Sequence, residues 1–143
     1  MGIPGSGKTT FALQFLYYGA TVLGEPGLFI TFTENKESIY RHALSFGWDF
    51  AKLEKEKKFQ LLQFKPHQIS AGLEEDGGAI SDEIKSMNAK RLAIDSITAY
   101  TLLFKDEYQK RESIVSFIDR LHEWKCTSLI ISEMPPAVSE TQE

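Results

Sequence analysis

The first residues of the chain form the pattern best suited to chemistry. Residues 2–9 read Gly-Ile-Pro-Gly-Ser-Gly-Lys-Thr and match the motif G-x-x-x-x-G-K-[ST] at every fixed position. Glycines allow backbone conformations closed to other residues, so successive N–H groups can point at one phosphate. A helix beginning near Lys8 would add the positive end of its dipole. The motif therefore predicts a loop that binds a nucleoside triphosphate, with Mg-ATP as the expected ligand.

The residues of this loop have separate predicted roles. Lys8 is expected to reach the β- and γ-phosphates and to act in catalysis through its charge, and the Thr9 hydroxyl is expected to bind Mg²⁺. The alternative is a glycine-rich turn before a helix, but Lys-Thr at the required spacing favours phosphate binding. The predicted nucleotide-binding residues are Gly2, Pro4, Gly5, Ser6, Gly7, Lys8, Thr9 and Thr10.

Two apolar segments end in acids that could serve the same site. Asp95 closes the run Leu-Ala-Ile-Asp, and after a complete phosphate loop it is the candidate second metal residue. Glu34 follows the apolar residues 28–33 and is the candidate base that polarises the attacking water, because ligands collect at the carboxyl edge of a parallel sheet. The alternatives are a turn-forming aspartate and a glutamate stabilised by the next helix dipole. Ser132 and Glu133 end a third apolar run and are weaker candidates for sensing the γ-phosphate.

The elements that must position these side chains alternate along the chain. Helices are predicted at about 8–23, 36–46, 49–57, 79–89 and 108–124, and strands at about 28–33, 59–64, 91–95 and 127–132. Asn35 and Asp49 are the candidate N-caps of the second and third helices. Residues 65–76 have no clear period and are predicted to form a loop. This order is typical of an α/β fold with a mostly parallel sheet between two layers of helices.

Two details of the helices are also predicted. Phe11, Phe15, Tyr18 and Val22 recur at helical spacing along one face of the first helix, and Ala12, Leu16 and Leu23 widen this apolar stripe. His42 shares a face with apolar residues of the next helix, so we expect a packed histidine rather than a metal ligand.

Composition narrows the class of protein. The 143 residues suffice for one domain, and the 42% hydrophobic and 25% charged content is that of a soluble globular chain. Sixteen basic against 20 acidic residues give a net charge of −4, which argues against a strongly basic nucleic-acid clamp. The single cysteine, Cys126, excludes an internal disulfide and is expected to be an inert core thiol. No apolar run reaches the roughly 20 residues that span a bilayer, so a cytoplasmic location is expected.

Taken together, five segments resemble the ATPase domain of the KaiC branch of the RecA superfamily, especially the archaeal KaiC-like proteins. The phosphate loop alone occurs in many NTPases, but the combination and its order are more specific. The segments are residues 2–20, 24–34, 45–49, 91–98 and 132–135.

The resemblance implies a RecA-like P-loop fold, ring-shaped hexamers with ATP bound between subunits, and possible protein partners. It implies that Lys8 and Thr9 bind phosphate and Mg²⁺, that Asp95 supports the metal and that Glu34 is the base. KaiC-type domains often have two adjacent glutamates after that strand, whereas this chain has Thr33 before Glu34. One carboxylate suffices for a general base, but fast hydrolysis is not implied.

The position of the loop leads to a further expectation. A phosphate loop normally follows a buried strand, whereas only Met1 precedes Gly2 here. We expect residues 1–143 to be a partial domain, incomplete at both ends, that self-associates through exposed sheet edges.

Three functions remain open on the sequence alone. The first is an ATPase that cleaves the β–γ bond, and the second is a nucleotide-binding regulatory or interaction module with little hydrolysis. The third is a recombinase-like DNA-binding ATPase, in which residues 99–111 would face a central pore. That segment supplies Tyr100, Lys105, Lys110 and Arg111, but also the acids Asp106 and Glu107.

Overall fold

The computed structural model describes residues 6–32, 34–64, 78–95 and 105–131. Helices and strands alternate through these residues as predicted, with ends that lie within two residues of the predicted ones. The elements are α1 (Ser6–Thr21), β1 (Gly27–Thr31), α2 (Lys36–Leu44), α3 (Phe50–Lys55), β2 (Phe59–Gln63), α4 (Gly78–Met87), β3 (Arg91–Asp95), α5 (Glu107–Trp124) and β4 (Thr127–Ile131). The predicted loop at 65–76 lies outside the described residues.

The strands form one parallel sheet in the order β2-β1-β3-β4. The register pairs Thr31 of β1 with Asp95 of β3, and Asp95 with Ile131 of β4. All three residues end their strands, so the carboxyl ends of β1, β3 and β4 meet at one edge. This is the edge at which parallel α/β sheets bind ligands.

Alternate side chains of the sheet enter two separate cores. Leu28 and Ile30 of β1 belong to one core, which α4 and α5 complete through residues such as Ile84 and Phe117. Phe29, between them, belongs to the other core, which α1, α2 and α3 complete. Burial on both faces explains why β1 is continuously apolar, and it confirms the predicted sheet with helices on both faces.

The predicted apolar stripe of α1 coincides only in part with the face that packs on the core. Phe11, Tyr18 and Val22 are 58%, 50% and 61% exposed, and Phe15 is only partly buried. The core face consists of smaller side chains: Ala12 and Leu16, which belong to the predicted stripe, and Leu13 and Ala20, which do not. Because α1 is apolar around most of its circumference, periodicity alone does not choose between faces. Close approach to the sheet favours the smaller residues: a β-carbon added to Gly27 of β1 would lie 2.8 Å from Leu16 Cδ2.

The predicted starts of α2 and α3 are confirmed by their caps. The Asn35 side chain accepts a hydrogen bond from Ser38 N at 2.7 Å, and that of Asp49 accepts one from Lys52 N at 3.2 Å. Each cap satisfies a backbone N–H that the helix itself leaves unpaired. The start of α2 is therefore fixed immediately after Glu34.

The carboxyl-terminal half of α1 is held against the start of β3 by Arg91. Its Nε donates to Glu25 Oε1 at 2.8 Å, and its Nη1 donates to the Phe15 carbonyl at 2.7 Å. The guanidinium also lies 4.5 Å from the centre of the Phe15 ring, a cation–π contact. The side chain passes directly over Gly19, where an added β-carbon would lie 2.5 Å from Arg91 Cδ.

We expect Gly19→Ala to destabilise the protein by about 1–2 kcal/mol. Overpacking costs about 1–3 kcal/mol, and the better helix propensity of alanine offsets about 0.5–1 kcal/mol of it. Denaturant unfolding measures the difference. In an Arg91→Ala background the same substitution should stabilise, and a stabilising effect in the parent as well would show that Arg91 does not constrain this position.

Candidate functional site

The amino-terminal end of α1 is joined to the carboxyl end of β3 by one buried hydrogen bond. The Thr9 hydroxyl donates to Asp95 Oδ2 at 2.8 Å across 86 residues of sequence. Each residue is only 7% exposed. The structure thus brings together the two residues that were predicted from the sequence to form one metal site. Nothing in the sequence pattern around either residue predicts the short distance between their side chains.

The oxygen atoms of this pair suit a small hard cation. Mg²⁺ prefers oxygen ligands and is commonly bound through one or two protein groups, with water and substrate phosphates completing its octahedron. Among the described residues, no group of three or more His, Cys, Asp or Glu side chains is arranged to hold a metal ion. Thr9 and Asp95 therefore fit Mg²⁺ as part of a shared site with phosphate, not as a complete protein cage.

The start of α1 offers groups for an anion. The helix begins at Ser6, and the first N–H groups of a helix have no partner within it. Gly7 and Lys8 follow and are exposed. Gly2, Pro4 and Gly5, also predicted to bind nucleotide, lie outside the described residues.

An open cleft of about 520 Å³ adjoins this end of the helix. Gly7, Lys8 and Phe11 line one side, and Leu129, Ile130 and Ile131 of β4 line the other. Except for Lys8 the side chains are apolar, so the cleft walls offer little to a phosphate group. In this region, the groups that can bind a phosphate are the first N–H groups of α1 and the side chain of Lys8.

Glu34 is held at the same edge of the sheet by its backbone. Its N–H donates to the hydroxyl of Thr31 at 3.1 Å, and Thr31 is fully buried. Thr31 of β1 is paired with Asp95 of β3. Glu34 therefore follows the strand that lies next to the strand of Asp95. Its partly buried position is compatible with a catalytic carboxylate and equally with a helix-start acid. Thr33 lies outside the described residues.

The helix that follows Glu34 is fastened to α3 near its start. Lys36 Nζ and the Tyr40 hydroxyl donate to the two oxygens of Glu54 at 2.8 and 2.7 Å. Burial, reinforced by Glu54, raises the pKa of Tyr40 far above its usual range. Burial acts to raise the pKa of Glu54 too, but the hydrogen bonds from Lys36 and Tyr40 outweigh it and lower that pKa. Glu54 is therefore ionised at neutral pH and keeps both contacts.

His42, predicted to be a packed residue, makes a specific polar contact. Its Nε2 lies 2.9 Å from the Thr10 hydroxyl, and its ring meets that of Phe46 edge-on at 5.4 Å. Sequence reasoning missed this pair, because no spacing rule connects residues 32 positions apart on two different helices.

Comparison with known proteins shows the family of this chain. The family model for the KaiC ATPase matches residues 1–143. The chain belongs to the KaiC ATPase family. The circadian clock oscillator protein KaiC of Prochlorococcus marinus is 41% identical over 138 residues, and that of Synechococcus elongatus is 35% identical over 140. Each alignment covers 92% of this chain and 27% of the relative.

A solved structure extends the family match to the fold. The crystal structure of a KaiC-like protein from the hyperthermophilic archaeon Pyrococcus horikoshii has a TM-score of 0.75 and 39% sequence identity. The match covers 92% of this chain and 57% of that one. The predicted KaiC-like, RecA-type α/β fold is therefore confirmed. The chain spans about a quarter of the length of the curated relatives named above.

Other predicted features of this KaiC-family chain have mixed outcomes. Ser132, Glu133 and Tyr100 lie outside the described residues. Of the proposed DNA-facing segment, Lys110 Nζ lies 3.6 Å from Glu107 Oε2, whereas Lys105 and Arg111 are exposed.

Burial raises the pKa of the Cys126 thiol, as expected for an unreactive cysteine. Within the described parts of the chain, no helix has both the length and the apolar character needed to cross a bilayer.

We expect Thr9→Val to lower the unfolding free energy of the nucleotide-free protein by about 1–3 kcal/mol. Valine preserves the shape but removes a donor from the buried Asp95 carboxylate, and a lost buried hydrogen bond costs about that much. Urea unfolding measures the change. Thr9→Ser retains a hydroxyl and is the matched control, so equal stability of the two variants would show that the bond to Asp95 contributes nothing.

Proposed function

We propose that this KaiC-family chain binds Mg-ATP and hydrolyses its β–γ bond by attack of water. The observation that carries the proposal is the buried hydrogen bond between Thr9 and Asp95. It joins the end of the phosphate-binding motif to the acid that closes β3, and so brings the two expected Mg²⁺ ligands together. A phosphate loop without such an acid would support binding alone.

The proposed binding residues act at the start of α1. The backbone N–H groups of residues 2–10, other than Pro4, would surround the phosphates, and the helix dipole would favour their negative charge. Lys8 would contact the β- and γ-phosphates and stabilise the charge that develops on them during cleavage. Gly2, Pro4, Gly5, Ser6, Gly7, Thr9 and Thr10 complete the proposed set.

The metal would be shared between the protein and the nucleotide. Thr9 and Asp95 would hold Mg²⁺, which when bound neutralises charge on the β- and γ-phosphates. The position of Asp95 beside both β1 and β4 keeps this site at the carboxyl edge of the sheet.

Glu34 is the proposed general base. The hydrogen bond from its N–H to Thr31 holds the backbone at the correct edge of the sheet and leaves the carboxylate to orient water. Because the sequence has Thr33 where related domains often have a second glutamate, nucleotide binding with slow turnover is the second candidate function. Assembly into rings, with ATP between subunits, belongs to the same proposal and is supported by family membership.

Nucleotide binding should depend on Lys8. We expect Lys8→Ala to weaken Mg-ATP binding at least roughly tenfold, or about 1.4 kcal/mol, because the side chain supplies the positive charge nearest the β- and γ-phosphates. Isothermal titration calorimetry measures the affinity. Lys52→Ala, a substitution of an exposed lysine on α3, is the control. Equal affinity of Lys8→Ala and the parent would refute the phosphate-loop assignment.

Loss of Glu34 should affect turnover rather than binding. We expect Glu34→Gln to retain Mg-ATP affinity and to slow steady-state phosphate release by roughly 10²- to 10⁴-fold, the usual contribution of a general base. Glu37→Gln, on the exposed first turn of α2, controls for the loss of one negative charge. Phosphate release by Glu34→Gln at the parental rate would mean that Glu34 only stabilises the start of α2.

A further inference from the structure

We infer that His42 is a positioning residue that fastens α2 to the nucleotide-binding helix and thereby sets the position of Glu34. The inference rests on the proposed function of Glu34 and Thr9. It starts from the contact between His42 Nε2 and the Thr10 hydroxyl at 2.9 Å, which is partly buried. Thr10 directly follows Thr9, so the contact lies one residue from the bond to Asp95.

The contact completes a closed series of interactions that includes both Glu34 and the Thr9–Asp95 pair of the proposed site. Thr31 and Asp95 are paired across β1 and β3. Thr31 holds the N–H of Glu34, and Asp95 accepts from Thr9. From Glu34 the chain continues through α2 to His42, which returns to the residue after Thr9. The relative position of α1 and α2 is thus fixed at both ends of α2.

Aromatic contacts support the same attachment along α1. The His42 ring lies edge-on to Phe46, Phe46 stacks on Trp48 at 5.0 Å, and Trp48 stacks on Tyr17 at 6.0 Å. Tyr17 lies on α1 two turns after Thr10. The end of α2 and the turn that follows it therefore contact α1 at two places, of which only the His42 contact is adjacent to the phosphate loop.

The length of α2 explains why a remote contact matters at Glu34. The helix has nine residues, which correspond to about 13 Å at 1.5 Å per residue. If its far end is released, the helix can turn about its fixed start, and this turn reorients the backbone at Asn35 and with it the carboxylate of Glu34. Misplacement of a catalytic group by about 1 Å can cost up to a hundredfold in rate.

The test compares turnover, nucleotide affinity and local opening in four single variants and one double variant. His42→Leu retains bulk but removes the polar contact, and His42→Gln retains a donor and an acceptor. Arg41→Ala changes an exposed neighbour on the same helix and is the control. Thr10→Val removes the partner and, combined with His42→Leu, completes a double-mutant cycle. Thermal melting establishes that each variant is folded.

For His42→Leu we expect kcat for ATP to fall roughly ten- to hundredfold, with KM changed less than about threefold. Amide hydrogen exchange of residues 34–44 in α2 should become faster. His42→Gln should recover much of the rate, and Arg41→Ala should match the parent. In the Thr10→Val background, His42→Leu should have little additional effect, because the contact is already absent.

Three results would overturn the inference: a kcat of His42→Leu within about twofold of the parent, additive effects in the cycle, or unchanged exchange in α2. If His42→Leu does not fold, Thr10→Val and His42→Gln decide the same question. If the parent binds Mg-ATP without turnover, the proposed hydrolysis fails. The exchange measurement then decides by itself whether His42 fastens α2.

Discussion

The structure depends first on how α1 lies along β3. One end of the contact is the buried hydrogen bond from Thr9 to Asp95, and the other is Arg91, held by Glu25 and the Phe15 carbonyl. The helix runs opposite to the strand, so the start of α1 meets the strand's carboxyl end. This arrangement brings the helix N–H groups, Lys8 and a carboxylate together, and small residues on the core face of α1 permit it.

The second constraint is the attachment of α2. Its start is fixed by the Asn35 cap and by the bond between Glu34 and Thr31, and its first turns are tied to α3 through Glu54. Its end meets α1 through His42 and the stacked rings of Phe46, Trp48 and Tyr17. A carboxylate that follows a strand can point in many directions. These attachments on both sides give Glu34 a defined place relative to α1.

Membership of the KaiC ATPase family agrees with this arrangement. The family match and the archaeal KaiC-like structure account for the order of the elements and for the parallel sheet. The particular contacts of this chain still determine how a shared fold operates, because fold and function are separable. We propose that the rate of hydrolysis by this chain depends on the contact of His42 with Thr10 and on the single acid after β1.

Several features could be predicted from the amino-acid sequence: the alternation of elements, the caps at Asn35 and Asp49, and the candidates Lys8, Thr9, Glu34 and Asp95. These features follow from local rules: helical and strand periodicity, side-chain capping, and the residue spacing of a phosphate-binding loop. The buried face of α1 and the contact between His42 and Thr10 depend on how the elements pack in the folded chain. An almost wholly apolar helix has no single preferred face in its own sequence. A hydrogen bond between residues far apart in sequence exists only once two helices have packed on the same side of a sheet.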